Sequence, residues 1–302
     1  MLALAALDWI GPAMVTVAPD SVRAVADFHT AFNLVTALLF LPVLGPFSKL
    51  LVRLLPARVT LADPARPLYL DEAAREMPAI ALAGAAREAL RMADVLETML
   101  RGALDTLDRG DRTQVAAVKG LDTVLDRLNG AIKGYLTGLD PEILDAADSG
   151  RLSEVLGFIT NLEHAGDIVE KGLMACAAKR LKRGLAFSAE GQVEIRTMIE
   201  RLEANLRAAA AVFLTDDPRA ARRLLGEKEV FRDLEARATE AHFARIRAGR
   251  IESVETSALH LDLLRDAKRI NAHLAAAAYP VLERIGELLP SRLRREPAGE
   301  TC

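Results

Sequence analysis

The chain has 302 residues, enough for one large or two small domains, and its 39 basic and 42 acidic side chains leave a net charge of −3. That balance gives no general reason to expect a nucleic-acid partner. A hydrophobic fraction of 51% with only 4% aromatics, rich in Ala and Leu, favours long helices over sheets. Its two cysteines, Cys176 and Cys302, have no zinc-binding spacing and imply no disulfide framework, which points to a reducing compartment.

Residues 1–55 differ from everything after them. Met1 to Val17 is mostly apolar, but Asp8, Gly11 and Pro12 interrupt it, and it lacks the basic start of a secretory signal. Ala31 to Ser48 runs 18 residues without a charge and is followed by Lys49, Arg53, Arg58 and Arg66. At ~1.5 Å per residue this is near the minimum for crossing ~30 Å of hydrocarbon. Asn33, Thr36, Pro42, Gly45 and Pro46 suit a membrane helix or helical hairpin held inside a larger bundle. The bases that follow place that end in the cytoplasm. The competing reading is a hairpin buried in a soluble protein.

Pro56, Pro64 and Pro67 mark residues 56–77 as a linker. Six long helical stretches come next, over 78–107, 113–137, 153–182, 188–215, 218–248 and 253–287. Ser153 and Ser188 are the expected caps, Gly184 and Gly249 the expected stops, and Pro280 a kink in the last helix. Helices of this length joined by short turns make an all-α bundle over 78–290, ordered as three helices and then three again, with a tail at 291–302.

Within that bundle, acidic pairs at i,i+4 recur in matching order: Asp122/Asp126 and Glu163/Asp167, then Glu229/Asp233 and Asp262/Asp266. This spacing puts both carboxylates of a pair on one helix face. Half-buried carboxylates do not all ionise cheaply, so either their pKa values rise or a cation compensates them. Oxygen-only ligation suits magnesium, manganese or iron, and suits zinc less well without His or Cys. The ordinary alternative is intrahelical ion pairing, for which Arg265, Lys268 and Arg269 stand ready. Glu72/Glu76, Glu190/Glu194 and Glu283/Glu287 read as solvated faces. His164, His260 and His273 lie near acidic pairs, and His242 has none close in sequence. The chain has no nucleophile elbow, phosphate loop, dinucleotide fingerprint or zinc-protease motif, so no enzyme activity is expected.

Two blocks carry a resemblance. Asn161-Leu-Glu-His-Ala-Gly-Asp-Ile-Val-Glu170 and Leu261-Asp-Leu-Leu-Arg-Asp-Ala-Lys-Arg-Ile-Asn271 resemble the repeated E/D-x-x-x-D signature of PhoU-type phosphate regulators, elongated six-helix proteins made of two three-helix repeats. Phe28 to Leu34 and the run to Pro42 resemble the last membrane helix of bacterial sodium/phosphate cotransporters, which carry a PhoU-like domain after a linker. The resemblance implies a C-terminal part of a sodium-dependent phosphate transporter in the bacterial inner membrane, with a metal-binding regulatory domain in the cytoplasm. Its implied partners are the lipid bilayer, the remaining transporter helices or a phosphate-signalling protein, and a second copy of the chain. The metal candidates it implies are Glu163, Asp167, Asp262 and Asp266, with Asp122, Asp126, Glu229 and Asp233 matching more loosely. One departure is plain. The family's Gln-Ser-Ser motifs are missing, because the only glutamines are Gln114 and Gln192, so sodium and phosphate would need a transport core that this sequence lacks. The alternative is a membrane-tethered PhoU-like regulator without transport activity.

Overall fold

Pro78, which needs no amide partner at a helix start, opens α1 (Pro78–Arg109), and Gly110 ends it in the left-handed region at φ 72°. The structure, a computed structural model, describes residues 29–30, 32–38, 40–42, 44–45, 47, 63–110 and 113–288. The chain divides into two compact units, Met1–Ala62 and Asp63–Cys302.

In the first unit the described positions from 29 to 47 are helical, and Thr36 donates from its hydroxyl to the Phe32 carbonyl at 2.7 Å. Phe32, Leu34, Val35, Leu38 and Leu41 are exposed there. Among the described residues no helix is long and apolar enough to cross a membrane. The expected bilayer-crossing helix over 31–48, part of which lies outside the described residues, is therefore unsupported, and the expected inner-membrane location that rested on it is corrected. The expectations for residues 1–28, 48–62 and 289–302 lie outside the described residues.

The second unit is a helical bundle. After α1 come α2 (Thr113–Thr137), α3 (Ala146–Ile168), α4 (Ala175–Arg183), α5 (Ala189–Thr215), α6 (Pro218–Arg247), α7 (Ile251–Glu255), α8 (Ser257–Ala275) and α9 (Tyr279–Arg284). A π-helical stretch, Val169–Met174, joins α3 to α4 without a turn, so the two form one long rod with a widened segment. Gly184 at φ 66° ends that rod, and the Ser188 side chain accepts from the Gly191 amide to cap α5. The rod starts earlier than the sequence suggests. Asp145 accepts from the Asp148 amide at 2.7 Å and caps it, while Ser153 sits inside the helix and donates back to the Ser149 carbonyl. The last stretch is broken at Thr256 and again by the 3-10 turn Ala276–Ala278, which precedes Pro280.

α1 packs against α2, α3 and α5, and α8 packs against α6, α5 and α3. Two three-element groups, α1–α2–α3/α4 and α5–α6–α8, thus share a seam through α1/α5 and α3/α8. Met92, Leu96, Met99, Leu100 and Leu107 of α1 are essentially sealed from solvent, as are Leu125, Leu128 and Ile132 of α2. Part of the expected linker belongs to this unit. Glu88, fully buried on α1, accepts from the Leu68 and Tyr69 amides at 2.9 and 3.0 Å and pairs with Arg91. Arg91 in turn donates to the carbonyls of Arg66 and Pro64. A buried carboxylate with three donors is satisfied, and this fixes the incoming chain on α1.

Candidate functional site

The inward face of α2 carries Leu121, Leu125, Leu128 and Ile132, and Asp122 borders that face one residue from Leu121. There it meets the α3 rod. Asp122 lies within electrostatic reach of Asp126 on its own helix and of Asp167, Glu170 and Lys171 on the rod. Its Oδ1 is buried without a hydrogen-bond partner. Burial first, then the charges of Asp126, Asp167 and Glu170, push its pKa up to about 6, with Lys171 opposing. Gly166 leaves room for this approach, since a side chain there would run into Leu125 at 2.8 Å and sit 3.8 Å from Asp122 Oδ1.

The rod contributes at a different register from the one the sequence suggests. Asp167 pairs with Lys171 one turn on, and Glu170 joins Asp122's surroundings. Glu163 lies one turn back and keeps company with His164, 3.5 Å away. The sequence signal that finds Glu170 is its i,i+3 spacing from Asp167.

The second half departs further. On α6 the buried side chains are Ala221, Leu224, Phe231, Ala238 and His242. Glu229 and Asp233 stand two residues to either side of Phe231, about 200° around the helix, and so point outward. Both are 64% exposed, and Arg232 lies between them and pairs with Glu229. They do not meet Asp262 and Asp266, which face the rod of the first half instead. The inward carboxylates of α6 are Glu227 and Glu235, one turn either side of Phe231. Glu227 accepts from Arg201 at 2.6 and 2.9 Å and from Asn205 at 3.1 Å, and Lys268 pairs with Glu235.

Asp262 pairs with Arg265 at 3.0 Å. Asp266 is 5% exposed and sits between Arg269 at 3.1 Å and Arg265 at 3.5 Å. Its carboxylate fits because Gly172 has no side chain, as a Cβ there would lie 2.6 Å from Oδ2.

Among the described residues no three His, Cys, Asp or Glu side chains are grouped so that they could hold a metal ion. The two halves nonetheless differ in how they would receive one. In the first half Asp122 keeps one buried carboxylate oxygen without a hydrogen-bond partner, within electrostatic reach of Asp126, Asp167 and Glu170, and the donors there are all oxygens, the kind a hard cation takes. In the second, Asp262 and Asp266 are already compensated by arginine, and Glu229 and Asp233 point outward, so that set does not fit.

Two histidines expected to matter little, or only beside carboxylates, form a buried group. His242 of α6 and His260 of α8 stack, and His260 Nε2 stands 3.1 Å from Glu194 Oε2. Arg245 makes a two-point bond to the same carboxylate at 2.7 and 2.8 Å. Burial works against the charge on Glu194, but His260 and Arg245 outweigh it and hold its pKa below the usual glutamate range. Glu194 is thus no solvated face. Cys176 is buried, and burial pushes its thiol up to about 11.

Comparison with known proteins gives this geometry a context. Residues 89–174, which span α1 to the π stretch, match the family model described as PhoU domain. The chain is 38% identical over 260 residues to "Putative inorganic phosphate export protein YjbB" of Escherichia coli (strain K12), covering 86% of this chain and 48% of that protein. The protein of the same name from Salmonella typhimurium is 37% identical over 256 residues, covering 85% and 47%. The chain therefore spans about half the length of the curated relatives it matches. PhoU from Pseudomonas aeruginosa superposes with a TM-score of 0.62 at 18% identity, over 68% of this chain and 98% of that one. The phosphate transport system regulatory protein PhoU from Streptococcus pneumoniae gives 0.63 at 14%, over 71% and 100%. At those identities the likeness establishes the fold, an all-helical PhoU-like bundle.

Proposed function

We propose that this chain is a phosphate-linked regulatory module, a PhoU-like bundle without transport activity of its own that couples cation binding at its α2/α3 carboxylates to the handling of inorganic phosphate. The observation that carries the reading is the 38% identity over 260 residues to proteins named for inorganic phosphate export, on a PhoU-like frame. A second reading makes the bundle the regulatory portion of a phosphate-moving protein, favoured by its matching 48% of the length of those relatives. Sodium coupling finds no support in the relatives' names and is not carried forward.

Asp122, Asp126, Asp167 and Glu170 are the residues that would hold the cation, and their oxygen donors suit a hard divalent or trivalent ion, magnesium, manganese or iron. When bound it supplies positive charge that offsets carboxylate repulsion. The residues around it do the rest. Asp122, ionised above about pH 6, would turn its unpartnered buried Oδ1 to the cation, which would share with Lys171 the role of local counter-charge. A charge shared by α2 and the rod would favour their close packing, the kind of bias on a two-state element that a regulator needs.

The test is phosphate release from cells. Escherichia coli without its own relative is loaded with labelled phosphate, and efflux is followed with and without this chain. The reading expects efflux to change when the chain is expressed and to return toward the empty control with Asp122→Asn. Identical efflux with the chain and with an empty vector would contradict it.

A further inference from the structure

Facing the rod, α8 presents Arg265, Arg269 and His273 at successive turns, while the rod presents His164 and Lys171 from the other side. Between them lies a cleft of about 480 Å³, lined also by Asp167, Ile168, Gly172 and Asp266. We propose that this cleft binds a tetrahedral phosphate oxyanion, a site that deepens the regulatory reading and rests on it.

Charge and geometry both support an anion. The three permanent cations in the lining, Lys171, Arg265 and Arg269, face two carboxylates, Asp167 and Asp266. Neither carboxylate is free to repel a ligand. Without a cation Asp167 is engaged by Lys171, a cation there would neutralise it in the same way, and Asp266 is nearly buried beneath the two arginines. Asp262, just outside the cleft, takes one further bond from Arg265.

Asp266 acts as a positioning residue. By accepting from Arg265 Nε and Arg269 Nη1, it holds two guanidinium groups side by side on one face. A guanidinium has five N–H donors in a fixed fork that matches phosphate oxygens. These bonds leave most of that fork directed elsewhere, and both side chains are more than half exposed, at 54% and 57%.

The backbone is shaped for the same purpose. The π-helical stretch Val169–Met174 widens the rod beside the cleft, as such stretches commonly do at functional sites, and places Gly172 against Asp266 and Lys171 at the rim. His273 closes the far end. It is held by Asn161 at 3.0 Å and stands edge-on to His164, with ring centroids 5.2 Å apart. It faces cationic neighbours with no carboxylate partner of its own among the described residues, an environment that an incoming anion would relieve.

The experiment is calorimetric titration of inorganic phosphate into the full chain at fixed ionic strength and pH 7, with His164 and His273 ring resonances followed by NMR. The proposal expects saturable single-site binding with shifts at both rings. Arg269→Gln is expected to weaken it by about tenfold or more. Lys171→Gln, at a 64% exposed position that does not threaten folding, is expected to weaken it several-fold. Absence of saturable binding, or equal affinity in wild type and Lys171→Gln, would overturn the site. If binding fails while Asp122→Asn still alters cellular efflux, only this site is lost. If binding holds while efflux never responds, the regulatory reading is the one that falls.

Discussion

His242 and His260 stack face to face inside the second half of the bundle, with centroids 4.6 Å apart and planes 6° from parallel. Two imidazoles so placed resist being charged together. Burial, then His260 and Arg245, hold the His242 pKa below its ordinary 6.5, while Glu194 pulls the other way. Since the folded pKa is depressed, the unfolded chain binds the proton more readily, and stability is lost as pH falls below about 6.5. His242 Nε2 lies 3.0 Å from Ser257 Oγ, so Gln at this position keeps a polar partner without titrating. Between pH 7.5 and pH 5.5 the unfolding free energy from urea titration is expected to fall further for wild type than for His242→Gln, by roughly 1 kcal/mol or less. Equal drops would remove His242 as the cause.

Glu194 holds together three elements of that half, through Arg245 on α6 and His260 on α8. Glu194→Gln leaves a nearly buried guanidinium with weaker acceptors, and a loss of about 2–4 kcal/mol in chemical denaturation is expected. Glu229→Gln serves as the contrast. Its carboxylate pairs with Arg232 at the surface, and the change is expected to alter stability by less than about 0.5 kcal/mol.

The entry of the chain onto α1 has its own check at Gly84, where a Cβ would lie 2.4 Å from the Tyr69 carbonyl oxygen. Backbone on both sides leaves little room for adjustment. Gly84→Ala is expected to cost about 1–3 kcal/mol and to expose Arg66 and Arg75 to trypsin. Unchanged proteolysis would show that the segment from Asp63 tolerates a wider spacing.

For Asp122 the sign runs opposite to that of an ordinary paired aspartate. Its folded pKa of about 6 lies above the usual 3.8, so the metal-free fold gains stability from protonation, which is lost as pH rises through 6. Asp122→Asn is therefore expected to stabilise the metal-free protein at pH 7.5 by about 1 kcal/mol after allowance for its partial exposure, and by less at pH 4.5. A destabilised variant at pH 7.5 would mean that the carboxylate is already compensated.

Much of the frame was legible from the sequence. Pro78, Gly110, Gly184, Ser188 and Pro218 mark helix ends through local backbone chemistry, and that chemistry holds in the bundle. The start of α3 was misread because Asp145, an equally good cap eight residues earlier, lies in a stretch that looks like a turn. The site was legible only in part. Spacing shows that two carboxylates share a face, but the direction of that face depends on the neighbouring buried stripe. Asp122 lies beside the stripe of α2, whereas Glu229 and Asp233 lie opposite Phe231. The stack of His242 on His260 could not be read at all, because it joins residues on separate helices through tertiary packing.

The central claim is that the cation belongs to the carboxylates of α2 and the α3 rod and not to those on the outer face of α6. Calorimetric titration of manganese into the metal-free chain at pH 7.5 tests it most directly. The account predicts that Asp122→Asn weakens binding by about tenfold or more, that the double variant Glu229→Gln/Asp233→Asn binds as wild type does, and that wild-type affinity falls as pH drops through about 6, where Asp122 takes up its proton. Wild-type affinity in Asp122→Asn, or loss of binding in the α6 double variant, would contradict it.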